Sequence, residues 1–226
     1  MTEPAHGTSA SSASSWDPVV LWSKPESERE GTPLLVLFHG YMANEEDLMG
    51  LTDHLPAEFT VASLRAPQAA GPGFSWFPLS RESDYSVERV VESVTAVSQW
   101  LDEVRGRHSS VSILGFSQGM AVATSLLRHR PTDFACVVGL SGFAVPSEGH
   151  EFFRDDEAAA APVGFFWGRD QEDQVILPEM IEFTHAWLTK HTKLTKIIYS
   201  NMFHSINLRE LAHVREFLTM TVLGRR

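Results

Sequence analysis

Ser117 stands in the run SILGFSQGMA, residues 112–121, with Gly115 and Gly119 two positions to either side. An apolar, β-branched stretch at 111–114 precedes it. From Met120 the chain continues at helical spacing to Arg130, so the spacing predicts a strand, a sharp turn and a helix in that order. A hydroxyl lifted clear of a sheet at such a turn needs neighbours with no side chain to collide, and the two glycines meet that need. The backbone N–H of Gln118 then lies at the positive end of the helix, where it can face a developing oxyanion. A G-x-S-x-G pentapeptide is short enough to arise by chance. Its strand and helix context makes Ser117 a candidate nucleophile, with the Gln118 N–H as half of an oxyanion hole.

A serine is a poor nucleophile until a base takes its proton, and the base needs a third group to orient it. In open parallel sheets such groups gather beyond the carboxyl ends of the strands. His129, His185, His191 and His213 fall on predicted helices and His150 in a long connection, whereas His204, in SNMFHSI, closely follows a late strand. Beyond an earlier strand at 163–167, the segment GRDQEDQVI offers Asp170, Glu172 and Asp173, any of which could orient an imidazole. The chain order serine, acid, histidine is the one found in α/β hydrolases. Near the front of the chain, His39-Gly40-Tyr41 ends a continuous apolar run at 34–38, where a second oxyanion N–H is expected from Tyr41 while His39 shapes the loop.

The elements that must carry these residues alternate. Strands are expected at 19–22, 34–38, 59–64, 111–114, 134–140, 163–167 and 193–199. Helices are expected after Asn44 (with Leu48, Leu51 and Leu55 in phase), at about 84–105, at 120–130, at 178–191 and at 207–222, with a short solvated one near Asp155-Asp156-Glu157. This is an α/β pattern of about seven mostly parallel strands with helices on both faces and no large cap. Residues 1–15 are rich in Ser, Ala, Thr and Gly and read as a flexible tail before a single domain at 16–226. Two long connections, 65–80 and 141–162, can overhang Ser117. Phe74, Trp76 and Phe77 in the first and Phe143 in the second are expected to line a shallow apolar groove.

Composition narrows the function. The 226 residues hold 18 Lys and Arg against 29 Asp and Glu, a net charge of −11, which argues against nucleic acid and disfavours strongly anionic substrates. No run approaches the ~20 apolar residues of a membrane helix. The start lacks a basic, then apolar, leader, so a cytoplasmic location is expected. Cys136 is the single cysteine, in the apolar run FACVVGL, and reads as a buried small hydrophobe, which excludes a thiolate metal cluster. Arg128-His129-Arg130 and Arg225-Arg226 read as solvated ends. No G-x-G-x-x-G or P-loop sequence supports nucleotide binding, and oligomeric state is not legible.

LFHGYMANEEDL, SLRAP, GFSQGM, the D-x-V-I after a strand and M-x-H-S-I together resemble the phospholipase/carboxylesterase family of α/β hydrolases, which includes small bacterial carboxylesterases and acyl-protein thioesterases. The resemblance spans about 34–211. It implies a cofactor-free serine hydrolase of small-molecule esters, with a triad of Ser117, Asp173 and His204 and oxyanion N–H groups from Tyr41 and Gln118. Three departures stand out: two extra residues separate Gly168 from Asp173, Gln174 replaces a proline, and Asn201 replaces a glycine. Alignment on Val175-Ile176 selects Asp173, whereas counting from Gly168 favours Asp170. An ester of short to medium acyl length is the expected substrate. A lysophospholipase or thioesterase is the close alternative, and an inactive binding module on the same fold the distant one.

Overall fold

The computed structural model describes residues 16–79, 86–147 and 149–224; the expected tail at 1–15 lies outside them. In chain order the strands are β1 (Val20–Trp22), β2 (Leu34–Phe38), β3 (Thr60–Leu64), β4 (Gln68–Ala70), β5 (Gly73–Ser75), β6 (Val111–Phe116), β7 (Cys136–Leu140), β8 (Gly164–Asp170) and β9 (Lys193–Tyr199). The helices are α1 (Val87–Val104), α2 (Gln118–His129), α3 (Asp155–Ala160), α4 (Pro178–His191) and α5 (Leu208–Val222). Seven strands form one sheet in the order β1-β3-β2-β6-β7-β8-β9. β1 runs antiparallel to β3 and the remaining pairs are parallel.

Alternation along the central strands explains the layering. In β2, Leu34, Val36 and Phe38 face one core, and Leu35 and Leu37 the other. Successive side chains of a strand point to opposite faces, so a strand apolar at every position is covered on both. The first core is closed by the valine stripe of α1, by α2 and by Trp187 and Leu188 of α4. Val214 and Leu218 of α5 close the second, with Leu48 and Leu55 beside a 3-10 helix at Met49–His54. This is the α/β-hydrolase arrangement without a large cap. Among the described residues, no helix is long and apolar enough to cross a membrane.

Several expectations are corrected. The α-helix after Asn44 does not form; Leu48 and Leu55 are buried and Leu51 partly so by turns and the short 3-10 helix, and Gly50 and Pro56 give an α-helix little support there. Residues 65–80 do not run as a plain loop, because β4 and β5 pair as a hairpin. β8 runs three residues past the expected end at Trp167, so Asp170 belongs to the strand and only Asp173 to the turn.

Arg128 is not a solvated helix end but has no exposed surface. Its guanidinium donates twice to Asp155, at 2.8 Å each, and also to the Val145 carbonyl (2.7 Å) and Ser147 Oγ (2.8 Å). It also lies 4.1 Å from the centre of the Phe153 ring. Such a multidentate, stacked set suits arginine and not lysine. It fastens the 143–155 excursion to α2. The helix is buried on every side from Gln118 to Arg128, so helical phase alone did not mark Arg128 as buried.

Glu210 sits at the start of α5 with no exposed surface, and neither carboxylate oxygen meets a hydrogen-bond partner among the described residues. Its backbone N–H is capped by Asn207 Oδ1 at 2.9 Å, while its side chain turns inward against Gly168, where a Cβ would overlap it. Burial pushes its pKa from 4.5 up to about 8. Between these values the native chain holds a proton that the unfolded chain has released. Stability is therefore highest below about pH 4.5 for this group and falls as pH rises toward 8, by up to about 1.4 kcal/mol per pH unit. Urea titrations from pH 5 to 8 should show that decline, and Glu210→Gln should flatten it. An equal slope in the variant would assign the effect elsewhere.

Candidate active site

β6 delivers Ser117 to the surface through a backbone that no ordinary residue adopts readily, φ 54° and ψ −118°. The turn is held from two sides: the Ser117 N–H donates to the Leu140 carbonyl of β7 (3.0 Å), and its carbonyl accepts from Met120 N–H (3.0 Å). The flanking glycines are required sterically. A Cβ on Gly119 would overlap the Phe38 carbonyl, and one on Gly115 the Gly119 carbonyl. A backbone strained in this way, held by its surroundings, is characteristic of functional sites.

His204 and Asp173 reach the same place from later strands. His204 Nε2 lies 3.0 Å from Ser117 Oγ, and its Nδ1 lies 2.9 Å from Asp173 Oδ2. The Asp173 side chain is fully buried and the imidazole about one-fifth exposed. The other Asp173 oxygen accepts from the N–H groups of Val175 (2.9 Å) and Ile176 (3.3 Å). Burial raises the Asp173 pKa, but the His204 bond and these N–H groups outweigh it, leaving the carboxyl below the usual range. Asp170 does not touch His204. Glu172 is exposed, and its N–H donates to Asp170.

The loop after β2 brings Tyr41 to the serine. A Cβ on Gly40 would lie 3.5 Å from the Ser117 Cβ and 3.2 Å from the Phe116 ring, so the chain here passes directly over the elbow. The hairpin holds this loop in place: Met42 N–H donates to the Phe74 carbonyl (2.9 Å), and Phe74 N–H to the Ala43 carbonyl (2.8 Å). A bidentate ion pair between Arg65 and the buried Glu45 braces it further. His39 is fully buried; its Nδ1 meets the Gly40 carbonyl (2.7 Å), and its Nε2 accepts from Ala66 N–H (3.1 Å). Desolvation lowers its pKa, keeping it a neutral strut. Gln118 is first in α2, where a backbone N–H has no intrahelical acceptor. Its buried side chain accepts from Trp76 N–H (3.0 Å) and donates to the Phe77 carbonyl (2.7 Å), tying the hairpin to the elbow.

The expected groove does not form from the expected residues. Trp76 has no exposed surface; its indole N–H donates to the His39 carbonyl (2.9 Å) and its ring packs edge-on against Phe38. Phe143 is also buried, within the first core. Phe74 is half-buried beneath the Arg65 guanidinium, 4.6 Å from its centre. Trp76 lies just past the end of β5 and can be fully buried because its indole satisfies its one polar atom on a main-chain carbonyl. Close in sequence to the site residues, Tyr41, Met42, Val175 and Phe203 are each more than one-third exposed. Their exposure carries no periodic signal in the sequence.

The comparisons accord with this architecture. The Bacillus cereus carboxylesterase superposes with a TM-score of 0.75 over 90% of this chain and 94% of that one, at 19% identity. A carboxylesterase from Mesorhizobium loti gives 0.72 over 86% and 92%, at 17% identity. Arabidopsis thaliana SOBER1 gives 0.67 over 84% and 99%, at 20% identity. At these identities the likeness is one of fold. The family model described as Phospholipase/Carboxylesterase matches residues 25–222. With nearly the whole described chain inside that match, the protein belongs to the phospholipase/carboxylesterase family of hydrolases.

Proposed function

We propose that the protein is a serine carboxylesterase acting on neutral esters of short to medium acyl length through an acyl-serine intermediate. The observation that carries this reading is the continuous relay from Ser117 Oγ through His204 to Asp173, at 3.0 and 2.9 Å. In the first step Ser117 Oγ attacks the ester carbonyl carbon while His204 Nε2 takes the hydroxyl proton. Asp173 holds the imidazole in the tautomer that leaves Nε2 free and stabilises the imidazolium that forms. The tetrahedral oxyanion is met by the Tyr41 and Gln118 N–H groups. Its collapse expels the alcohol, which takes the proton from His204 and leaves the acyl group on Ser117. Water, deprotonated by His204, then repeats the sequence and releases the acid.

Acyl length follows from the surface. With Trp76 and Phe143 in the core, the exposed apolar side chains close in sequence to the site among the described residues, Tyr41, Met42, Val175 and Phe203, are the ones this reading assigns to covering a chain. Each methylene they cover contributes about 0.8 kcal/mol, and those beyond their edge contribute nothing. Across p-nitrophenyl esters from acetate to palmitate, kcat/KM should rise and then level or fall at medium length. Phe203→Ala should shorten the optimum. Steady improvement to palmitate would overturn the length assignment while leaving the esterase reading intact.

A further inference from the structure

Two aspartates leave β8 and its turn, and only Asp173 touches His204. Asp170 is the last residue of the strand and has no exposed surface. All its hydrogen bonds go to backbone N–H groups in the two loops that carry the other site residues. Oδ1 accepts from Glu172 N–H at 2.7 Å, inside the turn that leads to Asp173. Oδ2 accepts from Met202 N–H and, at 2.7 Å, from Phe203 N–H, immediately before His204. We propose that Asp170 is a positioning residue, a single carboxylate that sets the acid and the base against each other by holding both of their loops.

The proposal rests on the esterase reading given above. The loop before His204 is strained. Asn201 and Phe203 both take left-handed backbone conformations, φ 59° and 56°, which non-glycine residues rarely hold without external restraint. Other bonds near this loop use carbonyls as acceptors: Ser205 Oγ donates to the Met202 carbonyl, Ser141 Oγ to the Ser205 carbonyl (3.1 Å), and Gln171 N–H to the Tyr199 carbonyl (3.3 Å). Among the described residues, Asp170 is the side chain that accepts from N–H groups of both loops. The three donors, Glu172 foremost, keep its carboxyl below the usual range, so it stays an acceptor at both oxygens. An asparagine has one acceptor oxygen and one NH2 group. It can keep one loop but turns a donor toward the other loop's N–H.

In Asp170→Asn we therefore expect kcat to fall on the order of 10²-fold, the scale of a displacement of about 1 Å at a reacting group. KM should stay within about threefold, because Asp170 meets no substrate. The imidazole Nδ1–H resonance of His204 should move from its wild-type position as the 2.9 Å bond to Asp173 is disturbed. A folded variant with wild-type kcat overturns the proposal. So does a loss of kcat that only tracks the unfolded fraction, with the resonance unmoved. If the variant does not fold, amide exchange in the wild-type protein decides: the N–H groups of Glu172, Met202 and Phe203 should be protected although Glu172 and Phe203 are themselves exposed. Exchange at free-loop rates overturns the proposal. If the wild-type protein neither hydrolyses esters nor labels at Ser117, the esterase reading fails, while the resonance and exchange measurements still test Asp170.

Discussion

Ser117→Ala should reduce ester turnover by roughly 10⁵- to 10⁶-fold, the scale on which the serine of such a relay matters. The variant should lose all labelling by a fluorophosphonate and keep its fold, since alanine meets the same steric demands at φ 54° and leaves the Leu140 and Met120 main-chain bonds in place. In the esterase reading, the residual rate should come from the Tyr41 and Gln118 N–H groups and from substrate binding, which the substitution leaves untouched. Mass spectrometry of the labelled wild-type chain should place the adduct on the peptide containing Ser117. Persistent labelling in the variant, or an adduct on another serine, would remove Ser117 from the mechanism.

The second large effect concerns the acid. Asp173→Asn should lower kcat by about 10⁴-fold with little change in KM. The reason is tautomeric. An asparagine amide at 173 donates to His204 Nδ1, which forces the ring proton onto Nε2 and points it at Ser117 Oγ, so the imidazole can no longer accept. Fluorophosphonate labelling should slow in parallel, because the same base activates the serine in both reactions. Asp170→Asn should fall well short of this loss. If the order of the two effects were reversed, the roles given to the two aspartates would have to be exchanged.

The pair shows how far the site could be read before its geometry was known. Ser117 and His204 were legible because each follows a strand at short range, so local pattern and chain order pointed to them. For the acid, local pattern leaves Asp170, Glu172 and Asp173 open and the family resemblance selects Asp173; the pattern alone falls short because the end of β8 depends on its pairing with β9, where Asp170 stands opposite Tyr199. Trp76, Phe143 and Arg128 were misread for a related reason. An aromatic in a glycine- and proline-rich stretch looks exposed until a distant carbonyl, that of His39 for Trp76, takes its polar atom. A buried arginine looks solvated until Asp155, Val145 and Ser147 converge on it. The sheet was legible throughout, since seven apolar runs separated by helical periods leave few other ways to cover both faces.

The hairpin β4–β5 ties the loop bearing Tyr41 into a small antiparallel ribbon, through the paired bonds of Phe74 with Met42 and Ala43. In the esterase reading, the loop carrying the oxyanion donor is therefore fastened by main-chain bonds before any substrate arrives. Enzymes that reject near-matches sharply often do so through closing motions, whereas a static apolar contact distinguishes neighbours by only about 1–3 kcal/mol per methylene. In that reading, such a fixed site would be suited to breadth, with choice among esters left to the availability of each.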